Sequence, residues 1–183
     1  RNATISDTHL VQMLADYRRR VAGGYRALLP EDIDSIAHGP SWVSTKLDGE
    51  LWFLVKRSDW TALINPKGRV ICGELPVINA AKDLPDGMIV AGELTVDIGE
   101  KRARIGDLLA TLAKGDDAAA SSIIFCGFDI VELNNITVAQ PYSERYQRLQ
   151  ELLPDTGPLR YVTSQVLNTP QDIKGVFQTE VLD

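Results

Sequence analysis

The chain has 183 residues, enough for one domain, or one domain and a small appendage, around a sizeable core. Its 44% apolar and 24% charged residues suit a globular protein folding in water. No apolar run reaches the ~20 residues of a membrane span and residues 1 to 30 lack an apolar signal stretch, so a cytoplasmic monomer is expected. A net charge of -6 argues against tight unaided binding of nucleic acid, because phosphate neutralisation dominates such affinity.

Local basic patches remain available at Arg18-Arg19-Arg20 and at Lys56-Arg57 with Lys67 and Arg69. Cys72 and Cys126 lie far apart in apolar runs and are expected to be buried thiols rather than a disulfide. His9 and His38, without neighbouring cysteines, make no zinc pattern.

In chain order, residues 7 to 28 predict a helix capped by Asp7, with Leu10, Met13, Leu14, Tyr17 and Val21 at helical spacing. A short helix opens at Pro30, so 1–38 reads as an N-terminal helical segment packing on a domain of residues 39–183. His38-Gly39-Pro40 breaks the chain. Strands are predicted over 42–47, 51–57, 60–65 and 69–72, turning at Ser58-Asp59 and Pro66-Lys67-Gly68. There follow a helix at 75–81, a strand at 88–96, a helix at 105–114, a loop at 115–120 and a strand at 122–132. After a turn at Asn134-Asn135 come a helix at 142–153, a strand near 160–166 and a helix over about 170–182, with Thr169 as cap and Pro170 in its first turn. The pattern indicates an α+β domain of mainly antiparallel sheets flanked by helices.

The stretch from Trp42 to Glu50 carries the chemistry. Strand alternation sets Ser44, Lys46 and Asp48 on one face and Val43, Thr45 and Leu47 on the other. Gly49 precedes the apolar run Leu51–Val55, which places the lysine at the mouth of a core. Burial and neighbours can free an amine lone pair there for nucleophilic attack. Taken alone, the same tetrad describes a surface lysine paired with an aspartate beside a turn.

Three stretches in order resemble the covalent nucleotidyltransferases, most closely ATP-dependent DNA ligases. Lys46-Leu47-Asp48-Gly49 resembles their first motif, Gly92-Glu93-Leu94 the third, and Phe128-Asp129-Ile130-Val131 the stretch whose aromatic ring stacks on the base. Pro141-Tyr142, Arg145-Tyr146 and Leu149 resemble the helix that follows in DNA ligases. The resemblance implies the fold shared by DNA ligases and mRNA capping enzymes, which is ATP-grasp-like, with ATP and Mg²⁺ as cofactors. It implies that Lys46 attacks the α-phosphate to form lysyl-AMP while Asp48 orients it. Glu93 then contacts ribose and metal, Phe128 stacks on adenine, and Ser44 and Thr45 line the nucleotide pocket, Ser44 at the adenine edge. Nicked double-stranded DNA is the implied partner, in repair or replication. An RNA ligase, a capping-type guanylyltransferase and a non-catalytic interaction module are the alternatives.

Two departures matter. Leu51 stands where the family usually has an arginine, and Pro66-Lys67 where it has serine-arginine, which leaves Lys67 to meet a nick phosphate without a bidentate fork. The fourth motif, glutamate-glycine-valine, and the fifth, a lysine pair, are expected beyond residue 183. Residues 1–183 are therefore expected to hold a partial domain that grips nicked DNA weakly.

Overall fold

The computed structural model describes residues 2–99 and 101–179. Its strands are β1 (Asn2–Thr4), β2 (Ser41–Ser44), β3 (Glu50–Lys56), β4 (Thr61–Ile64), β5 (Arg69–Ile71), β6 (Met88–Val96), β7 (Ile123–Leu133), β8 (Ile136–Thr137), β9 (Leu159–Tyr161) and β10 (Ser164–Leu167). The helices are α1 (Thr8–Gly23), α2 (Pro76–Asn79), α3 (Ile105–Lys114), α4 (Asp117–Ser121), α5 (Tyr142–Leu152) and α6 (Pro170–Phe177), with a 3-10 turn at Pro30–Ser35. No helix among the described residues is long and apolar enough to cross a membrane.

Eight described strands form one sheet in the order β1-β5-β4-β3-β6-β7-β8, and β9 lies parallel to β7 on its free flank. The remaining pairs are antiparallel, so the expected α+β class holds. Alternation along β3 and β6 divides the core in two. Trp52, Leu54, Val90 and Leu94 face a core shared with α3 and α5, whereas Phe53, Val55, Ile89 and Ala91 face α1. That helix buries Leu10, Leu14 and Tyr17 against the sheet, and Asp7 caps it by accepting from the Leu10 amide at 2.9 Å.

Several elements depart from expectation, each for a local reason. The strand expected over 42–47 ends at Ser44, because its one partner among the described residues is β10 and that ladder closes at Ser44↔Ser164. Residues 45–49 then form a loop that leaves this small sheet for the large one, so Ser44, Lys46 and Asp48 do not share the face of one strand. The strand expected at 160–166 is two strands in different sheets, divided at residues 162–163. The loop at 115–120 contains α4, nucleated where the Asp116 carboxylate accepts from the Ala119 amide at 2.7 Å. The last expected helix ends at Phe177, and residues 180–182 lie outside the described residues.

The small sheet is held to the large one through α5. The Tyr146 hydroxyl donates to the Val162 carbonyl at 3.0 Å and accepts from the Ser164 amide at 2.8 Å, fastening the segment between β9 and β10. Trp42 of β2 packs against the rings of Tyr142 and Tyr146, with centroids 5.6 and 5.0 Å away.

Candidate nucleotidyltransferase site

Glycine makes the first junction of the site. A side chain at Gly49 would meet the Leu94 carbonyl and stand 2.9 Å from Glu93 Cγ, so only glycine lets the loop lie this close to β6. At that approach the Gly49 amide donates to Glu93 Oε1 at 2.9 Å. Gly92 serves the other face of β6. A Cβ there would stand 2.5 Å from the Phe125 ring and 2.6 Å from the Cys126 carbonyl, so glycine seats the ring in the core. The Gly92-Glu93-Leu94 stretch therefore combines a packing glycine, a site-facing carboxylate and the fully buried Leu94.

Burial pushes the Glu93 carboxyl above its ordinary value. The Gly49 amide and Lys46 pull it down, while Asp48 and Glu50 push it up. Lys46 itself is exposed rather than set in the mouth of a core. Its ammonium reaches the Leu47 carbonyl at 3.4 Å and, among the described residues, forms no ion pair with Asp48. Ser44 and Thr45 are exposed beside it.

Phe128 reaches the site by a β-bulge. Ala91 pairs with Asp129 and Gly92 with Gly127, so Phe128 is the extra residue opposite neither. The sequence pattern set Phe128 on a face with Ile124, Cys126 and Ile130. Phe128 does keep the side of Cys126, but the bulge turns Asp129 to that side as well, toward α1, and sends Ile130 to the opposite core. The bulge is clamped from both sides. Tyr17 donates to Asp129 Oδ2 at 2.9 Å, Arg145 Nε donates to Oδ1 at 2.7 Å, and the Tyr142 hydroxyl donates to the Phe128 carbonyl at 3.2 Å. Burial first, and then Asp129, drives the Tyr17 phenol far above its ordinary value, so it remains a donor. Phe128 is left half-buried, with Leu51 and Glu93 on the same side of the sheet.

The expected cation groups do not all assemble. Lys67 lies exposed in the turn before β5, at the end of the sheet where β3 begins. Lys56 and Arg57 lie at the other end of β4, paired with Asp86 at 3.3 Å and Glu132 at 2.9 Å, so they form no patch with Lys67. Arg19 pairs with Asp16 at 3.1 Å on the exposed side of α1. Two arginines gave no sequence signal. Arg102 Nη2 donates to the Lys46 carbonyl at 3.2 Å, and Arg160 of β9 stands next to Cys126, which in turn pairs with Glu93. A hollow of about 700 Å³ lies between α1 and the β7–β8 hairpin, lined by His9, Met13, Arg20 and Thr137. It does not include Lys46.

No protein-family model matches the sequence, and no curated protein does. Solved structures do. Mycobacterial DNA ligase D complexed with ATP and MES matches with a TM-score of 0.51 at 19% identity, over 69% of this chain and 40% of that one. The fold is that of a DNA ligase nucleotidyltransferase domain. A structure titled Pmar-Lig_Pre matches at 0.62 with 14% identity over 84% of this chain and 38% of that one. Another, titled Pmar-Lig_PreS3, matches at 0.60 with 12% identity over 92% and 43%. The chain spans about two fifths of the length of these ligase-like structures.

Proposed function

We propose that residues 1–183 form the nucleotide-binding and covalent-transfer part of an ATP-dependent polynucleotide ligase acting on nicked DNA. The observation that carries this reading is the Gly49–Glu93 hydrogen bond, which joins the lysine loop to the β6 carboxylate on the side of the sheet where Phe128 emerges. A nucleophilic amine, a carboxylate and an aromatic face are the groups that adenylation needs. In the proposed step the Lys46 amine attacks the α-phosphate of ATP, the P–N bond forms, the bond to the β-phosphate breaks, and pyrophosphate leaves. The lysine proton passes to water at this exposed position, and Asp48 acts on the charge of Glu93 rather than by gripping the ammonium.

Among the described residues no three acidic, histidine or cysteine side chains converge as a metal cage. Mg²⁺ uses one or two carboxylates together with substrate phosphates. Glu93, with Asp48 adding negative charge nearby, would supply the protein carboxylate, and the ion would neutralise the triphosphate.

Leu51 favours a second reading, an interaction module that kept the fold without the reaction, because it puts an apolar side chain opposite Glu93 where the resemblance calls for arginine. Mass spectrometry after incubation with ATP and Mg²⁺ separates the two. One AMP on Lys46, absent from Lys46→Ala, supports transfer. ATP binding with no adduct at any time would establish the non-catalytic module, and a GMP adduct from a parallel incubation with GTP, with none from ATP, would reassign the chain to the capping type.

A further inference from the structure

Register places four side chains in one row across the large sheet. Leu51 pairs with Glu93, Glu93 with Cys126, and Cys126 with Arg160. Alternation confirms the side: the strand neighbours of Arg160, Leu159 and Tyr161, pack into the core on the opposite face. The lysine loop crosses this row. It leaves β2 at Ser44, opposite Ser164 just beyond β9, and joins β3 next to β6.

We infer that Arg160 is an anion-binding residue of this site, holding a phosphate of the bound nucleotide; the inference rests on the function proposed above. Arg160 is half-buried, which is costly for a charge without a counter-ion. Arg57 and Arg145, also half-buried, each meet a carboxylate. Among the described residues no carboxylate forms an ion pair with Arg160, and its one neighbour on the row is the neutral Cys126 thiol, which burial keeps above its ordinary pKa.

Glu93 and Arg160 stand two strand spacings apart, about 10 Å, a gap that a bound nucleotide spans and a direct ion pair does not. On the other side of the row Asp48 adds negative charge near Glu93, Glu50 turns to the opposite face to accept from the Trp52 indole at 2.8 Å, and Leu51 offers no charge to offset Asp48. A polyphosphate entering there needs a cation, and Arg160 is the cation of the row. Its planar fork can engage two phosphate oxygens at once.

Calorimetric titration of the chain with ATP and with adenosine tests this. Arg160→Gln is expected to weaken ATP binding about ten- to hundredfold, the usual worth of a hydrogen bond to a charged group, and to leave adenosine binding unchanged. Arg160→Lys, which keeps charge and loses the fork, is expected to fall between. If Arg160→Gln does not fold, Arg160→Lys decides by the same ratio. Equal loss of both ligands, or loss of neither, overturns the assignment while leaving the proposed function standing. A wild-type chain that binds no ATP overturns both.

Discussion

The Gly49 amide and the Glu93 carboxylate meet at 2.9 Å across a gap that admits no side chain at residue 49. Gly49→Ala must push the lysine loop off β6, because the added methyl would run into the Leu94 carbonyl, which is backbone and cannot swing away. The cost is expected at about 1 to 3 kcal/mol, as for other overpacked sites. Urea melts would measure it, and labelling of Lys46 should fall by far more than the loss of folded protein explains.

Glu93 gives a pH signature. Burial raises its folded-state pKa above the ordinary 4.5, so the folded protein binds this proton more tightly than the unfolded chain. The stability linked to that proton is fully present below 4.5 and is lost as pH rises through the raised value. Glu93→Gln keeps an oxygen for the Gly49 amide and abolishes the charge. It should therefore melt higher than wild type at pH 7, with a gain that shrinks as the pH falls, while transfer to Lys46 is lost. Equal melting temperatures at both ends of the pH range would refute the burial argument.

Phe128 should be separable from the fold, because it is half-buried on a bulge. Phe128→Ala is expected to weaken ATP binding by about 1 to 3 kcal/mol, the range for base stacking on aromatic side chains. Unchanged affinity with unchanged stability would remove it from the site.

The clamp below it predicts the reverse pattern. Tyr17→Phe keeps the ring contact with Phe53, 5.5 Å between centroids, and removes one donor from a buried carboxylate. About 1 to 3 kcal/mol of stability should go, readable by denaturant titration. Arg145→Lys should cost more, since it trades two guanidinium contacts on Asp129 for one ammonium.

What could be read from sequence was what local periodicity determines. β6 over Met88–Val96 and α3 over Ile105–Lys114 match their expected bounds, since each displays its alternation or its stripe within a single window. The joining of β2 to β10 could not be read, because Ser44 and Ser164 are 120 positions apart and nothing local marks them as partners. For the same reason Lys46 was placed on a strand that stops two residues before it. Phe128 falls on the expected side with Cys126, but Ile130 does not, since the bulged residue reverses the parity that follows it. Arg102 and Arg160 were missed because their roles come from a loop crossing and a parallel edge strand, neither of which leaves a pattern in neighbouring residues.

Tyr146 carries a consequence for the site. Its single hydroxyl ties both ends of the short passage from β9 to β10, and β10 in turn carries β2, from which the lysine loop departs. The position of the lysine loop over the Glu93 row is thus set partly by one phenol seated in α5, together with the Val162 amide, which donates to the Gly127 carbonyl at 2.7 Å. The helix that follows the Phe128 strand therefore sets both the bulge, through Tyr142 and Arg145, and the anchor of the lysine strand, through Tyr146, so the two halves of the site share one support.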